Sequence, residues 1–102
     1  MELPDDARRI DRLGDQPADS LAVACRRFTT LELCLAWQQS CTMSRKTQEP
    51  ARHLSLAKVR AAFLDELERR DRPALVAWLR SDAPADQSPL RFFGPRLLGT
   101  DA

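Results

Sequence analysis

The stretch 55–80, SLAKVRAAFLDELERRDRPALVAWLR, constrains the fold of this chain most, because its helical periodicity is the clearest in the sequence. Ser55 is predicted to cap a first amphipathic helix. Asp71 ends that helix and caps a second one, in which Pro73 stands in the first turn, where its missing N–H costs little. The apolar residues of the first helix recur at the spacing of one helix face: Leu56, Val59, Phe63 and Leu67.

Two shorter helices are predicted near the N-terminus. A helix at 4–13 has acidic residues in its first turn and ends at Gly14. A second helix begins with Asp19 or Ser20 as its cap and ends near Arg27. The first of these carries few apolar residues, so it is marginal unless it packs against the rest of the molecule.

Thr29 and Glu32 have the spacing of a capping box, which predicts the start of a helix at 30–43. One continuous helix from 19 to 43 is the alternative. We prefer the break, because Phe28-Thr29-Thr30 is a run of poor helix formers.

Residues 44–54 are polar and contain Pro50, which predicts a loop. Helices 30–43 and 56–70 would then pack as an antiparallel pair across it. The inner face of helix 30–43 is predicted to hold Leu31, Cys34, Leu35, Gln38 and Cys41 or Thr42, widened by Leu33 and Trp37. The predicted core cluster is Leu31, Leu35, Trp37, Val59, Phe63, Leu67, Leu75, Trp78 and Leu79.

The predicted fold class is all-α: a small bundle of about four or five short helices with that antiparallel pair as its core. The chain has only 3 glycines and no run with strand-like alternation. We divide it into an N-terminal arm or short helix at 1–18, a helical domain at 19–81 and a C-terminal tail at 82–102.

The tail contains an apolar segment at 89–98 that is unusual for a chain terminus. One hypothesis is that Phe92 and Phe93 fold back over the last helix and complete the core. The other is that the segment is a docking strip for a protein partner or a second copy of the chain. Its candidate partner-binding residues are Leu90, Arg91, Phe92, Phe93, Arg96 and Leu97.

Composition is that of an ordinary soluble domain. The 102 residues are 43% hydrophobic and 30% charged, with a net charge of +1. No apolar run reaches the length of a membrane span, and the N-terminus lacks the apolar region of a secretory signal, so we expect a cytoplasmic protein without a membrane partner.

Three cysteines and one histidine suggest a zinc site, but their spacing is wrong. Cys25, Cys34, Cys41 and His53 contain no C-x₂₋₄-C pair, so we expect reduced, metal-free thiols that pack in the core.

Acidic neighbours such as Asp65-Glu66 point in different directions on a helix and cannot act together on one substrate. We therefore expect no catalytic residues, no cofactor and no enzyme.

Two functions remain. The preferred one is a non-catalytic protein–protein interaction module, including self-association. The alternative is a small DNA-binding regulator with a degenerate helix-turn-helix at 20–40. Helix 30–43 has no Arg or Lys before Arg45 and thus few groups for DNA, and the burial of Leu33, Cys34, Trp37 and Cys41 would leave fewer still.

The segment 63–71, FLDELERRD, followed by Trp78-Leu79, resembles a pattern in small uncharacterised helical proteins of high-GC bacteria. The segment 33–40 is similar to another part of the same proteins. The prevalence of arginine over lysine fits such a genome. The resemblance implies domain boundaries, and no function is carried over with it.

Overall fold

The structure is a computed structural model, and it describes residues 5–82 and 89–93, with side chains from residue 8 onwards. It is an all-α bundle. Its helices are α1 (Asp5–Gly14), α2 (Ala18–Arg26), α3 (Thr30–Lys46), α4 (Pro50–Arg70) and α5 (Arg72–Arg80), followed by a 3₁₀ turn at Pro89–Phe92.

The long helix α4 is the centre of the bundle, and each of the other four α-helices packs against it. The predicted periodicity is confirmed, because Leu56, Val59, Phe63 and Leu67 are all buried along one face of α4. Asp71 also caps α5 as expected, since its carboxylate accepts a hydrogen bond from the Ala74 N–H at 3.1 Å.

The antiparallel pairing of α3 with α4 is confirmed by contacts at both ends. Ser44 Oγ lies 3.3 Å from His53 Nδ1 near the connection, and Arg70 donates to Thr30 Oγ1 at the far end. The predicted loop at 44–54 is wrong, because α3 continues to Lys46 and α4 already begins at Pro50. Proline is favourable at the first helical position, where its N–H would have no helical partner.

Two of the predicted helix N-caps are wrong. Ser55 lies inside α4, not at its start. In α2 the cap position is Pro17 and makes no side-chain hydrogen bond, so neither Asp19 nor Ser20 caps that helix. The break before α3 is confirmed, and Thr29 and Glu32 form both hydrogen bonds of the capping box.

Helix α1 is part of the bundle and not a detached arm. Ile10 and Leu13 are buried in the common core. Gly14 lies directly against Ser55, so a Cβ at position 14 would collide with the Ser55 hydroxyl. Arg52 of α4 adds a 3.1 Å ion pair to Asp11 of α1.

The predicted core is correct on α4 and partly wrong on α3 and α5. Leu31, Leu35 and Leu79 are 42%, 46% and 60% exposed. The buried face of α3 instead runs through Thr30, Leu33, Cys34, Ala36, Trp37, Ser40, Cys41 and Met43. Trp37 fixes this orientation, because it packs edge-on against Trp78 with ring centroids 5.3 Å apart.

Burial of two hydroxyls on α3 is possible because both have partners. Ser40 donates to the Trp37 carbonyl at 2.7 Å, and Thr30 accepts from Arg70 at 3.1 Å. A buried polar group with a hydrogen bond costs little. The polar residues Thr30 and Ser40 are therefore buried in the bundle, whereas Leu31 and Leu35 are exposed.

Candidate functional site

The described part of the predicted docking strip, residues 89–93, is folded onto the bundle. The 3₁₀ turn packs against α5 and α3, and Pro89 and Phe93 are buried, Phe93 with 0% exposure. Leu90 and Phe92 are half-buried, and the exposed Arg91 lies with its guanidinium carbon 5.0 Å from the centroid of the Phe92 ring. Phe93 is therefore not accessible to a partner, and Arg96 and Leu97 lie outside the described residues.

The cysteines are buried on α2 and α3, and none is in a disulfide bond. Burial raises the pKa of Cys25 to about 11 and of Cys34 to about 12. Both remain protonated thiols at neutral pH, and the thiol is the unreactive form of cysteine. Within the part of the chain that the structure describes, no three His, Cys, Asp or Glu side chains are grouped to hold a metal ion.

His53 is exposed in the first turn of α4 and does not lie in a loop. Its Nε2 lies 3.0 Å from the Thr47 carbonyl and its Nδ1 3.3 Å from Ser44 Oγ. These contacts tie the helix to the connection 47–49. They give the ring a structural role at the end of the bundle.

A groove of about 350 Å³ lies between α2 and α4. Alanines from both helices line it, with Leu21 and Cys25 behind them: Ala18, Ala22, Ala61 and Ala62. The side chains at its rim are charged, with both signs present: Arg26, Lys58, Asp65, Glu66 and Arg69. An apolar floor within a polar rim is the usual anatomy of a protein-binding surface.

One end of the groove is built on a buried ion pair. The side chains of Glu66 and Arg70 are only 5% and 12% exposed. Glu66 accepts from Arg70 Nε at 2.7 Å and from Arg69 Nη2 at 2.6 Å. Burial alone would raise the pKa of Glu66, but the hydrogen bonds from Arg69 and Arg70 outweigh it, so this pKa is lowered.

Arg70 also closes the end of α2. Its Nη2 donates to the carbonyls of Phe28, Cys25 and Arg26 at 2.6, 3.2 and 3.3 Å. The last carbonyls of a helix have no partner within the helix, and a guanidinium supplies donors to several of them at once. Arg70 therefore fixes the α2–α3 connection, and with it one wall of the groove, onto α4.

Reasoning from sequence missed both parts of this site. Glu66 and Arg70 do have the (i, i+4) spacing of a helical ion pair, but that spacing is usual on solvated faces as well. Alanine in a helix surface gives no sequence pattern that separates a groove from a neutral position. The pairing of Ala18 and Ala22 with Ala61 appears only once α2 is placed beside α4.

The outward face of α3 is the second notable surface. Leu31 and Leu35 are half-exposed on it, with Gln38 and Thr42 further along. The candidate DNA-reading helix is this same α3. Its Leu33, Cys34, Trp37 and Cys41 are buried, so few side chains remain that could contact base edges.

None of the helices in residues 5–82 and 89–93 has the length and apolar composition to cross a membrane. Comparisons with protein-family models, curated proteins and solved structures found no match to this chain. The resemblance to helical proteins of high-GC bacteria therefore stays a prediction.

Proposed function

We propose that this protein is a non-catalytic helical interaction module that binds one helix of a partner protein in the α2–α4 groove. The observation that carries the proposal is the set of four alanines, two from each helix, that lines this groove. Small side chains on both walls allow the backbone of a third helix to approach closely. A helix laid in such a groove is a common mode of peptide recognition.

The dimensions and charges of the groove support a helical ligand. Lys58 and Arg69 mark its two ends on α4 and are 11 residues apart, which corresponds to about 16 Å, or three helical turns. Lys58 also donates to the Gln16 carbonyl at 2.7 Å. The rim carries both signs of charge, so a partner helix with mixed charges beside an apolar face fits it best.

The titratable groups of the groove support binding over catalysis. Glu66 is held as a carboxylate by two arginines, and the Cys25 thiol is buried with a raised pKa. A general base works best with a pKa close to the working pH, whereas that of Glu66 is lowered, and a nucleophilic cysteine needs a lowered pKa. Neither side chain meets its requirement.

Filling the groove tests the proposal. Ala61→Arg adds a long side chain at an exposed position of the groove and should leave folding intact, whereas Ala77→Arg makes the same change at an exposed position of α5 away from it. Tagged proteins would be purified from the native host and their bound proteins quantified by mass spectrometry. We expect one protein to be captured equally by the wild type and Ala77→Arg, and at least roughly tenfold less by Ala61→Arg. A partner that binds Ala61→Arg as well as the wild type would contradict the groove as the binding site.

The alternative, a DNA-binding regulator, has one observation in its favour: α2 and α3 are joined by only three residues, 27–29, as in a helix-turn-helix. The surface of α3 argues against it, because its exposed residues before Arg45 include no base. Titration of a labelled duplex at two salt concentrations separates the two functions. Salt-dependent binding would favour the regulator.

A further inference from the structure

The outward face of α3 has the residue spacing of a helix–helix contact. Leu31, Leu35, Gln38 and Thr42 lie on it at intervals of four, three and four residues. That alternation is the seam spacing of a coiled coil. In the described part of the chain, the core of the bundle includes none of these four side chains.

The same face lacks charge. Between Glu32 and Arg45 the sequence contains no charged residue, although 30% of the chain is charged. By contrast, α4 exposes Lys58, Asp65 and Glu68 to solvent. Solvated helix faces are normally charged, while the centres of protein interfaces are depleted of charge. The outward face of α3 therefore has the composition of a covered surface.

The charges at the two ends of α3 indicate what covers it. Glu32 stands in the first turn, and Arg45 and Lys46 stand in the last. We infer that this face binds α3 of a second copy of the chain, antiparallel, about a twofold axis near Gln38 and Gln39. This arrangement puts Glu32 opposite the basic last turn of the second copy, twice by symmetry. A parallel arrangement would place like charges together, which is unfavourable.

The side chains along this face suit the antiparallel register. Leu35 of one copy lies opposite Thr42 of the other, so that an aliphatic side chain meets a methyl group. A recess of about 50 Å³ flanks Leu35 on the side of α1. The Thr42 hydroxyl donates to the Gln38 carbonyl at 3.3 Å, so the methyl group of Thr42 is left to contact a neighbouring helix. Glu32 uses Oε1 for its cap and Oε2 for an ion pair with Arg9 at 3.8 Å, and its side chain is still 46% exposed.

Sedimentation equilibrium of the full chain tests the dimer directly. A single helix pair buries an area at the low end for protein complexes, so we expect a reversible equilibrium between 11.6 kDa monomers and dimers over the micromolar range. Leu35→Lys places a charge in the middle of the contact and should abolish the dimer. Leu54→Lys makes the same change at the most exposed of the described leucines, on α4, and should dimerise as the wild type does. Monomers at every concentration, or dimers of Leu35→Lys, would overturn the inference.

Disulfide trapping tests the register. Gln38→Cys lies near the twofold axis and should cross-link two copies under mild oxidation, while the native cysteines are buried. Leu31→Cys lies far from its own counterpart in the antiparallel pair and should not cross-link. Equal trapping at both positions would show a parallel pair and overturn the antiparallel one. Because Ala61→Arg leaves α3 unchanged, it should dimerise normally, so failure of the groove proposal and failure of this one are distinguishable.

Discussion

At the scale of single residues, Arg70 links three helices of the bundle, α2, α3 and α4. It joins the buried Glu66 to the end of α2 and to Thr30 at the start of α3. Three carbonyl groups and one carboxylate depend on one guanidinium. Breaking a buried pair by removing one partner is far more costly than the net stability of the pair, because the other charge is left without compensation.

Replacement of Arg70 by methionine is therefore expected to lower the free energy of unfolding by about 3–5 kcal/mol. Arg69→Met is the matched control, because Arg69 binds the same carboxylate but its side chain is 58% exposed, and it should cost far less stability than Arg70→Met. Urea denaturation measures both. Similar losses in the two variants would show that Arg70 has no special structural role. The double variant Arg70→Met/Glu66→Leu should recover part of the stability, since it removes the isolated charge.

The same pair gives the protein a defined pH dependence. Because the pKa of Glu66 is lower in the folded than in the unfolded chain, its contribution is complete above the ordinary glutamate pKa. It is lost as the pH falls through the lower, folded-state pKa. The difference in stability between the wild type and Glu66→Gln should therefore shrink on acidification, which thermal melting at several pH values would follow.

At the scale of helices, the sequence predicts ends well only where a cap makes a specific hydrogen bond. Thr29 and Asp71 were recognisable because each precedes a helical pattern and has the right side chain. Pro17 and Pro50 start helices without a side-chain cap, so position 19 or 20 and position 55 looked like better starts. At Pro50, the preference of proline for the first helical turn was the missing indication.

The two kinds of start differ in what a substitution should cost. Thr29→Ala removes a cap hydrogen bond of 3.0 Å to the Glu32 N–H and should lower the free energy of unfolding by about 1 kcal/mol. Ser20→Ala changes an exposed residue that caps nothing, and should be neutral within about 0.5 kcal/mol. Urea denaturation of both variants checks the contrast. A larger loss for Ser20→Ala would mean that α2 begins later than Ala18.

Helix α3 shows why face assignment was harder than helix assignment. The predicted inner face of this helix held Leu31 and Leu35 and not Thr30 or Ser40, yet the two hydroxyl residues are the buried ones. Each hydroxyl is satisfied by a partner, one of which is Arg70, 40 residues further along the chain. The periodicity of a sequence reflects only the spacing of its hydrophobic residues, so it cannot reveal long-range hydrogen bonds of this kind.

At the scale of the whole molecule, the fold class and the central antiparallel pair followed from the sequence because α4 is long and strongly periodic. The candidate groove did not, since it exists only between α2 and α4. The position of the tail also required the structure. Its apolar residues suit either a core or a docking strip, and composition alone does not separate the two.

The burial of Phe93 leads to the last prediction, which concerns how the bundle is closed. Phe93 is completely buried and belongs to the same core as Trp37 and Trp78, so Phe93→Ala should lower the free energy of unfolding by about 3–5 kcal/mol. Arg91→Ala changes an exposed neighbour in the same turn and should cost less than about 1 kcal/mol. Removal of residues 89–102 should likewise cause a large fall in the melting temperature of the monomer, measured at a concentration too low for self-association. If the shortened chain melts like the wild type, the segment closes no core, and the docking strip becomes the better account of its apolar residues.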